Sequence, residues 1–161
     1  MKFISPFIAA TTLAASLVSV ANAAEVRIEK EKLFGSWNCE ESADVDGGKM
    51  HVSIETTYVR NGRTHAYGSL TVDIPAEGVK LEYIYSESGT WELDKNFLVS
   101  STTEIKLVNI SHPGLDDVFN LGNTFPQNIS ESAEVLGVTD KVLVLKSESS
   151  GEIQTCTKTK R

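Results

Sequence analysis

The chain has 161 residues and a formal net charge of −7, from 15 Lys and Arg against 22 Asp and Glu. Phosphate binding relies on clustered cations that this balance does not supply, so DNA and RNA are not expected partners. Two cysteines and three histidines, with no C-x-x-C or H-x-x-x-H spacing, exclude the common zinc motifs, and no cofactor is expected.

In chain order the first element is a leader. Lys2 precedes a mostly apolar run from Phe3 to Val20 that closes on Ala21-Asn22-Ala23, the small-x-small pattern a signal peptidase accepts. Ser5, Pro6, Thr11, Thr12, Ser16 and Ser19 dilute the run. A retained spanning helix wants about 20 predominantly apolar residues and is the weaker reading. Residues 1–23 are therefore read as a cleaved signal peptide, and the lack of a Cys at the cleavage site argues against a lipid anchor. The short, Ala-rich leader has a bacterial look, which predicts the periplasm or the exterior and no membrane anchor after cleavage. Removing 23 of 161 residues leaves 138, enough for a single domain over 24–161. The only charge lost is Lys2, so the mature chain stands at −8.

The mature chain is written in short runs of Val, Ile, Thr and Tyr separated by Gly, Asn, Asp and Ser, the pattern of antiparallel β structure. Strands are predicted at 35–41, 49–59, 63–74, 79–86, 89–94, 97–108, 130–136, 141–148 and 152–158. At Asn61-Gly62 a two-residue loop would put the apolar faces of the flanking strands on opposite sides, because side-chain direction alternates with period two. A three-residue loop, Arg60 to Gly62 with Gly62 left-handed, aligns them instead. Met50, Val52, Ile54 and Tyr58 then share a face with Ala66, Gly68, Leu70, Val72 and Ile74. Val79, Leu81, Tyr83 and Tyr85 continue that face, and a turn is expected at Ser88-Gly89 ahead of Trp91. Residues 113–121 predict a short amphipathic helix, with Pro113 near its start, acids in its first turn and Gly122 as terminator.

A sheet of about eight or nine strands with one apolar face must close or fold onto itself. The all-β reading is an antiparallel meander closing into a barrel, with a β-sandwich as the alternative. An even pair of cysteines in an exported chain predicts a disulfide between Cys39 and Cys156, tying the first strand to the last. By parity Cys39 points inward with Trp37, and Cys156 points outward with Gln154 and Lys158. The bridge is thus expected at a frayed strand end or across a bulge.

The opening of the mature domain, Glu31-Lys32-Leu33-Phe34-Gly35-Ser36-Trp37, resembles the lipocalin entry, in which a short turn precedes a Gly-x-Trp. A later Gly89-Thr90-Trp91 and the meander support the likeness. The resemblance implies an up-and-down barrel plugged at one end by Trp37, and by analogy a ligand inside it. It departs from the family in placing its helical candidate after the sixth strand rather than the eighth.

Nucleophilic catalysis needs a Ser, Thr or Cys beside an oriented base. In the hairpin register His51 lies opposite Thr71 and His65 opposite Thr57, about 20 Å apart along the strand. His112 precedes Pro113 in a loop, so all three read as surface histidines. The carboxylate pairs Glu40-Glu41, Asp44/Asp46 and Asp116-Asp117 read as solvated surface. Asp44-Val45-Asp46-Gly47-Gly48 resembles the start of a calcium loop but lacks the closing Glu, so it reads as a β-turn. No catalytic or metal site is predicted. The expectation is a non-enzymatic binding protein holding a small apolar ligand against Tyr58, Tyr83, Tyr85 and Trp91. The alternative is an inhibitor or immunity protein that binds a cationic protein, such as a cell-wall hydrolase, through its acidic surface.

Overall fold

The computed structural model describes residues 27–45, 47–115 and 128–160. The expected leader and most of the expected helix after Pro113 lie outside the described residues. Eight strands follow in order: β1 (Gly35–Val45), β2 (Gly48–Tyr58), β3 (Arg63–Ile74), β4 (Val79–Asp94), β5 (Phe97–Asn109), β6 (Ser130–Val138), β7 (Val142–Ser147) and β8 (Ile153–Lys158). Each pairs antiparallel with its sequence neighbour and β1 returns to β8, so the sheet is a closed barrel and not a sandwich.

The hairpin register is the one the apolar faces require. Tyr58 pairs with Thr64, the Val59 N–H donates to the Arg63 carbonyl at 2.9 Å, and Gly62 sits at φ 80°. A side chain at Gly62 would have to adopt a left-handed backbone that only Gly takes without cost.

Two expectations are corrected. Segments 79–86 and 89–94 are one continuous strand of 16 residues, and Ser88-Gly89 marks a register shift against β5 rather than a turn. Gly89 is there because a Cβ would stand 2.4 Å from the Ser101 carbonyl oxygen. A Gly inside a strand signals such close approach as often as a turn. Of the helix expected at 113–121, the described residues include only its start, Pro113–Leu115, which forms a 3-10 turn; the rest lies outside them.

The second correction concerns the bridge. Cys39 and Cys156 are bonded as directly opposed partners, the last pair of the β1–β8 ladder, Cα atoms 4.3 Å apart, but Cys156 faces inward and is fully buried. That spacing is the close, non-hydrogen-bonded pair of an antiparallel ladder. Parity misled because β8 carries its polar residues inward. Lys158 shares the face of Cys156, lays its ammonium 4.7 Å over the Trp37 ring and donates to the Lys32 carbonyl, while Ile153 points out.

The core fills one end of the barrel. Leu33, Trp37, Leu143 and Cys156 have no exposed surface, and Tyr58, Trp91, Leu98 and Val135 pack around them. A single helical turn, Lys30–Leu33, lies across this end. Its Leu33 carbonyl accepts from the Trp37 indole N–H at 2.8 Å, so the largest buried side chain is satisfied within the plug. Lys30 over Trp91 and Arg60 over Phe34 complete the lid.

The wall is uneven. β1 to β5 run 11 to 16 residues and β6 to β8 only six to nine. The β1–β8 seam is three pairs long, Trp37 to Cys39 against Lys158 to Cys156. From Glu40 to Val45, β1 has β2 on one side and no described strand on the other.

Candidate functional site

The seam parts immediately above the disulfide, and the gap opens into a cleft of about 610 Å³. Ladder parity decides which side chains face into it, because residues directly opposite one another share a face. Glu41 is two residues beyond inward Cys39. Glu131 lies opposite Ser100, one step of the pleat from the pair of buried Leu98 with Ala133. Gln154 lies opposite Leu145, next to the pair of Leu143 with Cys156.

The floor of the cleft is apolar, formed by Tyr58, Leu98, Ala133 and Leu145. Ser100, Ser147 and Gln154 stand between floor and mouth, and the rim holds four carboxylates: Glu40, Glu41, Glu131 and Glu152. No Lys, Arg or His is in the lining. The ion pairs among the described residues, Lys32–Glu29, Lys80–Glu82 and Lys106–Glu104, all lie elsewhere. Two rim acids accept polar contacts: Glu40 from the Asn38 amide at 3.0 Å and Glu152 from the Ser150 hydroxyl at 3.2 Å.

A further carboxylate is set in the inner wall. Glu87 lies opposite buried Ala66, accepts the Tyr85 hydroxyl at one oxygen and, at the other, the Thr102 hydroxyl at 2.5 Å. Burial raises the Tyr85 pKa, and the hydrogen bond to Glu87 and the charges of Glu87 and Glu131 raise it further. Tyr58 is raised by burial first and then by Glu87. Both phenols therefore stay protonated in the folded protein at neutral pH.

Of the four side chains expected to hold a ligand, Tyr58 lines the cleft. Trp91 is packed behind it, ring centroids 5.2 Å apart, with its indole N–H on the Val59 carbonyl at 2.9 Å. Tyr85 belongs to the Glu87 network, and Tyr83 is buried farther along β4 opposite Leu70. The sequence reading missed Glu41, Glu131 and Gln154 because it took inward to mean apolar. Counting by twos from Cys39 would have found Glu41. The histidines are dispersed: His51 bonds Ser42 at 2.9 Å and His112 bonds Ser111 at 3.0 Å, while His65 stands 3.5 Å from Ser88. Among the described residues no group of three or more His, Cys, Asp or Glu could hold a metal ion.

No protein-family model matches the chain, and no curated protein matches it either. The eight-stranded antiparallel barrel is consistent with a lipocalin-like architecture. The disulfide is what an oxidising compartment produces.

Proposed function

We propose that this is an exported, non-enzymatic binding protein whose seam cleft receives a ligand that is positively charged and partly apolar. One observation carries the reading: four carboxylates and no cation rim a cleft whose floor is Tyr58, Leu98, Ala133 and Leu145. A concave site lined by one sign of charge focuses its field and concentrates the opposite charge. An apolar floor with a few placed polar groups is the usual make-up of a ligand pocket. The apolar ligand expected from the sequence would use the same floor, and the rim adds the requirement for positive charge. The leader, the disulfide and the lipocalin-like barrel support export and binding, the last by analogy of fold.

Calorimetric titration with an alkylammonium and an alkylcarboxylate of equal chain length tests it. The ammonium should bind, more weakly as salt is raised and in the variant carrying Glu41→Gln with Glu131→Gln, while the carboxylate should not. Equal binding of the two probes, or no binding of the ammonium, would overturn the proposal.

A further inference from the structure

We infer that the occupant of the cleft is an extended, basic segment of another protein that adds as a strand to the free edge of β1. The inference rests on the cationic-ligand reading and deepens it. Its independent observation lies in the backbone. Antiparallel ladders alternate, so a residue that bonds one neighbour leaves the next to bond the other. The Ser36 carbonyl accepts the Thr159 N–H at 2.9 Å across the seam, which directs the even-numbered residues of β1 toward β8. Above the last pair, Cys39 with Cys156, the N–H and C=O groups of Glu40, Ser42 and Asp44 therefore face the opening with no strand beside them among the described residues.

On the opposite bank the Lys158 N–H donates to the Lys141 carbonyl, which turns the even residues of β8 toward β7. Thr155 and Ile153 are left facing the same opening. A strand edge of this kind is a template for another extended chain.

Side-chain chemistry then selects the chain. A strand laid along β1 would alternate its side chains between the interior, beside Glu41 and above the apolar floor, and the exterior, beside Glu40. Lys or Arg stems would lie on the floor while their charged ends reach the carboxylates. A second copy is disfavoured as occupant, because it would bring Glu40, Glu41 and Asp44 against themselves. Two mature chains at −8 also repel as wholes.

The experiment uses the mature protein and a short acetylated peptide alternating Lys and Val. Two further versions are N-methylated on alternate amides, in opposite phases. N-methylation removes hydrogen-bond donors and leaves charge and side chains in place. The parent should bind, one phase should lose about tenfold or more in affinity, and the other should lose little. Ser42→Pro should also weaken the parent peptide about tenfold or more, because the N–H it removes faces the opening and not β2. Ser42→Ala, which returns that N–H, should restore binding.

Equal affinity in both phases, or equal loss in both, would overturn strand addition. The comparison of phases is made on the unaltered protein, so it decides even if Ser42→Pro does not fold. If the alkylammonium of the preceding test binds while the phases do not differ, only the strand inference fails. If no cationic probe binds at all, the underlying reading fails with it.

Discussion

Replacing Cys39 and Cys156 together by Ala releases a constraint between residues 117 apart in sequence. In the chain-entropy account a closed loop of that size lowers the entropy of the unfolded chain enough to stabilise the fold by about 5 kcal/mol. Single domains are commonly stable by only about 5–15 kcal/mol. The structure gives reason to expect most of that value here. The bridge is the last pair of a seam only three pairs long, and above it β1 and β8 separate into the cleft. Both sulfurs are inside, so the double variant also loses packing against Trp37 and Leu143. With a urea dependence of about 2 kcal/mol per molar, the unfolding midpoint should fall by roughly 2 M or more. The assay is urea unfolding of the two proteins followed by far-ultraviolet circular dichroism. A loss under about 1 kcal/mol, with an unchanged slope, would refute the idea that the bridge restrains barrel closure.

Gly62→Ala should cost about 1 kcal/mol in the same assay, because φ is 80° there. The nearest atom to the added Cβ is 3.5 Å away, so backbone strain and not collision sets the cost; a neutral result would contradict the loop geometry. Gly89→Ala should cost about 1–3 kcal/mol for the opposite reason, a collision with the Ser101 carbonyl, and refolded stability equal to wild type would contradict the close approach. Alkaline pH gives a further test. Tyr58 and Tyr85 have folded-state pKa values above the ordinary 10.0, so the unfolded chain releases protons that the folded chain keeps. Their contribution to stability is full below pH 10 and is lost as pH rises above it. Phenolate absorbance from these two residues should appear only with unfolding, and its appearance in an intact barrel would contradict their burial.

The barrel was legible because it rests on alternation, which the sequence displays without interpretation. Met50 to Tyr58 against Ala66 to Ile74 fixed both a face and a register, and the register in turn placed Gly62. The Ser88-Gly89 break was misread because a turn and a bulge share the same local chemistry, and only the partner strand distinguishes them. The cleft was illegible for a different reason. Two of its rim acids, Glu41 and Glu131, lie on inward positions of strands β1 and β6, where an apolar rule assigns them to the outside, and its existence depends on β6 to β8 being shorter than β1 to β5. Strand lengths of that kind follow from long-range pairing, not from local pattern. Lys158 shows the same limit, since a Trp37 ring beneath it is what makes an inward cation tolerable.

The most direct test of the central claim is an amide NMR titration of the mature protein with the alternating Lys and Val peptide. Shifts should concentrate at Glu40, Glu41, Ser42, Ser100, Glu131, Gln154 and Thr155, which together outline the cleft and its β1 edge. Shifts confined to the plugged end around Lys30, Arg60 and Lys158, or spread evenly over the outer surface, would contradict it.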